Sequence, residues 1–170
     1  MKSKNNLRTW IEIKEAAVKN NYDAWRKLLA RPEGLGCPQV KLMGVVKSNA
    51  YGHGLVPFAK LLAELGVDYL GVDSIIEAVR LREVGVKKDL LVLGYTRPEN
   101  LASASEQGIT LTISTLENWR ALANLNLKKV LKVHLKVDTG MHRQGILLRD
   151  FEQLLKELPV KNSLVKIEGI

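Results

Sequence analysis

The sequence predicts an α/β fold in which a parallel (β/α) TIM-type barrel is present in part, about six of eight strands, behind a short N-terminal strand. Three observations predict it. Short apolar runs alternate with helical segments along most of the chain. Successive runs end at Lys47, Asp73, Gly94, Ser114 and Asp138, in steps of 26, 21, 20 and 24 residues; that is the length of a strand plus a crossover helix, and so of parallel neighbours. Helix start and stop signals fall between the runs, where such units need them.

Taken in order, RTWIEIK (residues 8–14) alternates apolar and polar residues and reads as a short strand with Ile11 and Ile13 on one face. Val18, Tyr22, Trp25 and Leu29 recur at helical spacing and form one stripe of a helix ending near RPEG, before a loop over RPEGLGCPQ. The runs KLMGVVK, DYLGVD, DLLVLGY, ITLTIS, VLKVHLKVD and LVKIEGI are the candidate barrel strands. Ser74 with Glu77 and Ser114 with Glu117 have the three-residue offset of a capping box. Gly66, Gly85 and Gly108 follow helical segments, where left-handed C-terminal caps are wanted. Residues 1–40 therefore read as N-terminal strand, helix and loop, and residues 41–170 as a partial barrel. The last run ends two strands short of closure, as expected of a piece of something larger.

Composition narrows the class of function. Hydrophobic residues make up 46% and charged residues 26%, the balance of a folded globular domain. The net charge of +8 is compatible with an anionic partner, but the basic residues are scattered and the densest group, Lys128, Lys129, Lys132 and Lys136, alternates with apolar residues. With 5% aromatics and no nucleic-acid module, DNA or RNA binding is not expected. Cys37 is the single cysteine, an ordinary free thiol that fits a reducing compartment. There is no apolar leader and no run long enough to span a membrane, so a cytoplasmic location is expected.

In parallel α/β folds ligands sit at the carboxyl ends of the strands, which singles out Lys47, Asp73, Tyr95, Ser114, Lys136, Asp138 and the loops after them. Lys47 ends an apolar strand and shares a face with Val45 and Met43. Partial desolvation there would lower an amine's pKa and make it a nucleophile for carbonyls, although a solvated strand-end lysine fits the position as well. The following SNAYGHG supplies the Tyr51 hydroxyl and two glycines beside an expected helix N-terminus suited to phosphate. Along the strand that leads into HLKVDTGMHRQG (residues 134–145), Lys132, His134 and Lys136 share one face, which is unusual for a parallel sheet. Arg143 lies in the loop beyond, where a guanidinium can clamp a carboxylate, and on spacing alone a solvated loop arginine fits equally. His53, His134 and His142 lack metal-ligand spacing, so no metal is expected.

The segments VVKSNAYGHG and KVDTGMHRQG, in this order and about 90 residues apart, resemble the cofactor-attachment and substrate-arginine motifs of the alanine racemase family, fold-type III pyridoxal-phosphate enzymes. The likeness extends from RTWIEI to IEGI. It implies racemisation of L- and D-alanine for cell-wall (peptidoglycan) precursors, with pyridoxal 5'-phosphate as cofactor. By the resemblance, Lys47 carries the cofactor and acts as base on the D-alanine side, and Tyr51 bonds its phosphate. Val45 and Leu93 line the pocket, and Arg143 binds the substrate carboxylate and the cofactor's phenolic oxygen. Lys136 matches a position that the family often carboxylates to a carbamate that orients the arginine. The family's second base is a tyrosine of a C-terminal β-domain, reached across a homodimer interface, so this sequence by itself is expected to be inactive or nearly so. The alternatives are a non-catalytic pyridoxal-phosphate homeostasis protein and a racemase for another amino acid, such as serine or a broad set.

Overall fold

The computed structural model describes residues 8–30, 40–158 and 162–170. The loop expected over residues 31–39, with Cys37, lies outside the described residues. Helix α1 (Glu15–Leu29) comes first, followed by β1 (Met43–Val45), the turn α2 (Lys47–Tyr51) and helix α3 (Leu55–Leu65). Next come β2 (Tyr69–Val72), α4 (Ile75–Glu83), β3 (Asp89–Val92) and, after a 3-10 turn at Pro98–Asn100, α5 (Leu101–Glu106). The chain continues through β4 (Ile109–Ile113), α6 (Leu116–Ala123), β5 (Leu131–Leu135), α7 (Leu148–Lys156) and β6 (Val165–Gly169). All six predicted barrel runs contain a strand, and the strands form one parallel sheet in chain order, with β1 and β6 at its edges.

Register decides what each face of the sheet does. Leu70, Leu90 and Ile109 are aligned, as are Val72, Val92, Leu111 and Val133, and all are buried beneath the helices. The helices return Ala59, Leu62, Leu81, Leu101, Trp119 and Leu122 to the same core. Each buried Leu or Ile of this set contributes about 1.5–3 kcal/mol by leaving water. The opposite, concave face carries Gly71, Leu91 and Thr110 in one row, and Thr112 beside His134 in the next. One face is thus a hydrocarbon core and the other is mixed, which a sheet coated by helices on both sides could not be.

Two expectations need correction. Residues 8–14 form no strand; strand geometry needs a neighbouring strand to pair with, and among the described residues the sheet has β1 as its edge on that side. Helix α6 is capped by Thr115, whose hydroxyl accepts from the Asn118 N–H at 3.1 Å, not by Ser114 with Glu117. Ser114 instead continues β4 and is buried. Of the other box the serine half forms, with the Ser74 hydroxyl accepting from the Glu77 N–H at 3.3 Å. Gly66, Gly85 and Gly108 all take positive φ, as caps require.

Polar ties fix the periphery. Arg26 of α1 donates to the Gly66 carbonyl at 2.7 Å and pairs with Asp68 at 2.9 Å, and the same carboxylate accepts from the Leu42 N–H. Burial pushes Asp68 upward, but the Leu42 N–H and Arg26 outweigh it and hold the carboxyl below its usual range. Arg82 donates to four carbonyls, those of Val86, Lys88, Gln107 and Gly108, at 2.7–3.0 Å, and so pins α4 to the segments entering β3 and β4. Replacing Arg82 with Ala strands those carbonyls. The substitution is expected to cost about 3 kcal/mol, read as a lower urea midpoint at unchanged slope; a loss near zero would show that water replaces the guanidinium.

Candidate functional site

The parallel ladders run past the strands themselves and align their carboxyl ends. Val46 N–H donates to the Gly71 carbonyl at 2.8 Å, Leu93 to Val72 at 2.8 Å, Gly94 to Asp73 at 3.0 Å and Lys136 to Ile113 at 2.9 Å. Lys47, Asp73, Gly94, Ser114 and Lys136 consequently stand along one end of the sheet. Close packing of backbone is required there: a Cβ on Gly94 would lie 2.4 Å from the Asp73 carbonyl oxygen.

Lys47 is half-buried where β1 gives way to α2. Val46, in the bridge region at φ −119° and ψ 16°, is wholly buried and turns the chain. Ser48, Asn49 and Ala50 then adopt left-handed helical angles, φ 53° to 56° and ψ 40° to 51°, and Tyr51 follows at φ 51°. Left-handed geometry costs an L-residue about 1–2 kcal/mol, so a run of them persists only where its surroundings determine it. The surroundings are visible. The Ala50 methyl is buried in the core and Gly52 continues the positive φ. The Asn49 side-chain oxygen accepts from the Leu55 N–H at 2.8 Å, and the Asn49 N–H donates to Glu77 at 3.1 Å. Tyr51 is 62% exposed, so its phenol is available at the rim.

Beyond Lys136 the chain makes a closed loop. Asp138 N–H donates to the Ile146 carbonyl at 2.9 Å and Ile146 N–H to the Lys136 carbonyl at 2.7 Å, sealing the base. One Asp138 oxygen accepts from the Gly140 and His142 N–H groups, both at 3.0 Å. These bonds hold the Asp138 carboxyl below its ordinary range. Gly145 permits the seal: it sits at φ 146°, and a Cβ there would be 2.6 Å from the Asp138 nitrogen. Arg143 rides on this loop, exposed and without an ion-pair partner among the described residues.

The concave face leads to these groups. A Cβ on Gly71 would meet Met43 Sδ at 3.1 Å and Leu93 Cδ1 at 3.2 Å, so Met43, Leu93 and, by alternation, Val45 form its apolar part. Deeper along β5, Lys132 pairs with Glu168 at 3.1 Å, a bond that raises the lysine's pKa. His134 packs so closely on Gly169 that a Cβ there would lie 2.7 Å from Nδ1. Burial pushes the His134 imidazole below its ordinary value of 6.5, and nearby Glu168 offsets part of that.

The structure thus brings Lys47, Val45, Leu93 and Lys136 to one end of the sheet and sets Tyr51 and Arg143 on the turn and loop above it. Sequence reasoning passed over Asn49 and Gly145, and it marked Asp138 only as a strand-end candidate, not as the carboxylate that closes the loop carrying Arg143. The offset of Ser74 and Glu77 did mark Glu77, though only as a helix cap. A separate apolar cleft of about 650 Å³, lined by Ile13, Val18, Trp25, Met43 and Phe58 among others, opens between α1 and the β1 edge. It contains none of the strand-end groups.

Residues 13–170 match the family described as alanine racemase, N-terminal domain. The chain is 38% identical over 163 residues to alanine racemase 2 of Oceanobacillus iheyensis, covering 95% of this chain and 40% of that protein. Among solved structures, alanine racemase from E. faecalis superposes with a TM-score of 0.79 at 32% identity, covering 93% of this chain and 42% of that one. Histidine racemase from Leuconostoc mesenteroides superposes at 0.74 with 32% identity, covering 89% and 39%. The chain spans about two fifths of the length of the relatives it matches.

The His134 environment has a measurable consequence. Because its folded pKa is lowered, the unfolded chain takes up the proton first, so the stability present above about pH 6.5 declines as pH falls below it. The urea midpoint is expected to drop between about pH 7.5 and about pH 5, and His134→Gln should remove much of that drop. Equal slopes in the two chains would show that another group is responsible; Asp138 acts in a separate window, below its ordinary 3.8.

Proposed function

Because this chain belongs to the alanine racemase family, whose N-terminal domain it matches over residues 13–170, we propose that it holds the lysine half of an amino-acid racemase site dependent on pyridoxal 5'-phosphate. The single observation that carries the reading is the half-buried Lys47 at the strand-end row, followed by the left-handed turn that presents Tyr51. The donor set fits the group: a primary amine for its aldehyde, a phenol for its phosphate and an apolar floor of Val45 and Leu93 for its ring. Once bound, pyridoxal phosphate supplies an electron sink that makes the substrate's α-proton removable.

The chain's own residues then divide the work. Lys47 would hold the cofactor, and its amine would take or return the α-proton on the D-alanine side. Arg143 would clamp the substrate carboxylate and contact the cofactor's phenolic oxygen, and its sealed loop limits the freedom lost on binding. Lys136, half-buried and lacking an ion-pair partner among the described residues, is the position at which we place a carbamate. Such an anion would orient the Arg143 guanidinium.

Racemisation requires a proton donor on each face of the α-carbon. In this reading residues 41–170 supply one face, and the second base comes from a β-domain tyrosine outside these 170 residues, in a homodimer. Isolated activity is therefore low, and the whole enzyme serves peptidoglycan supply in the cytoplasm. Among the described residues no helix is long and apolar enough to cross a membrane. Alanine is the proposed substrate; the likeness to a histidine racemase favours, as a second reading, a different amino acid on the same scaffold.

Incubation with pyridoxal phosphate, borohydride reduction and peptide mass spectrometry test the assignment. One adduct is expected, on the peptide containing Lys47, and it should vanish in Lys47→Ala. Labelling elsewhere would sink the cofactor reading.

A further inference from the structure

We propose that Glu77 is a positioning residue for Lys47, its carboxylate holding the left-handed turn after the lysine against the end of β2. The inference rests on the assignment of Lys47 in the preceding section, and its geometry is independent of that assignment.

In an ordinary capping box the acidic side chain three residues into the helix turns back to the N–H of the cap residue itself. Glu77 does otherwise. One oxygen accepts from the N–H of Asp73, the residue before the cap, at 2.9 Å, and the other accepts from the N–H of Asn49 at 3.1 Å. Both carboxylate oxygens are thereby committed to backbone at the ends of two neighbouring strands. The cap is completed by Ser74 without them.

The turn needs such an external anchor. Its other hydrogen bonds are local: Ala50 N–H to the Val46 carbonyl, Gly52 and Gly54 N–H to the Asn49 carbonyl, and Leu55 N–H to the Asn49 side chain. Local bonds hold the shape of the segment and leave its placement on the sheet undetermined. Among the described residues, the bond from Asn49 to Glu77 is the one hydrogen bond that joins residues 48–51 to an element beyond the adjoining helix α3, across 28 positions of sequence. With Val46 fixed in the core on one side and Asn49 fixed by Glu77 on the other, Lys47 is held from both directions. A charged acceptor suits the task, since bonds to a carboxylate are about twice as strong as neutral ones.

Three variants of the 170-residue chain test this. Glu77→Ala removes both acceptors, Glu77→Gln keeps one, and Ser74→Ala removes the helix cap while leaving the carboxylate in place. Amide hydrogen exchange of residues 48–52 reports the brace without cofactor, and borohydride-trapped pyridoxal phosphate on Lys47, titrated against cofactor concentration, reports its consequence. Glu77→Ala is expected to accelerate exchange in 48–52 and to raise the half-labelling concentration about tenfold, with Glu77→Gln between it and the parent. Ser74→Ala should lower the melting temperature and move neither readout. Glu77→Gln, close in size to the parent, carries the comparison should the alanine variant fail to fold. The proposal is overturned if the Glu77 variants match Ser74→Ala in both measurements. Labelling of the parent chain away from Lys47 would instead remove the lysine's role, and with it the positioning role, while the exchange data would still decide whether the brace exists.

Discussion

The parallel register of the sheet is the constraint from which the rest of this structure follows. Parallel strands joined by crossover helices all end on the same side, so residues far apart in sequence are delivered to one row without any dedicated contact between them. Lys47 and Lys136 are in that row because the Val46–Gly71 and Lys136–Ile113 hydrogen bonds continue the ladders past the strands. A slip of one residue in any ladder would exchange the hydrocarbon face for the mixed face and turn each strand-end group into the core. The buried set of Leu70, Leu90, Ile109, Val92, Leu111 and Val133 opposes such a slip.

Above the sheet, order is obtained in two different ways. The Arg143 loop is sealed by its own backbone and by one carboxylate, Asp138, which accepts from amides inside the loop. The turn after Lys47 uses strained backbone that local bonds cannot place. It depends on packing of Ala50 and on Glu77 from another element. Strain of this kind tends to accompany sites where one atom must stand in one position.

Much of the fold was legible in the sequence because its signals are local. Apolar runs at intervals of about 20 to 26 residues, the Ser74 and Glu77 offset and the glycine stops all survive into the structure. The strand over residues 8–14 did not form, since alternation states which face a strand would bury but cannot provide its neighbour. The Ser114 cap was misplaced by one residue because Thr115 caps as well and Ser114 is needed to finish β4. For the candidate site, Lys47, Lys136 and Arg143 were singled out from strand ends and motif likeness. The left-handed run was not, because Ser48, Asn49, Ala50 and Tyr51 contain no glycine to announce positive φ.

By itself, then, the sequence determined the parallel α/β architecture, the order of its units and the family, because periodicity, spacing and long motifs are properties of the chain alone. Tertiary structure decided what the motif residues rest on. Glu77 ceased to be only a helix cap when the pairing of β1 with β2 brought Asn49 within reach of the oxygen that nearby Asp73 leaves free. His134 became a half-buried imidazole against Gly169 only through the pairing of β5 with β6. Both outcomes depend on distances between segments dozens of residues apart, and such distances are set by packing, not by local preference.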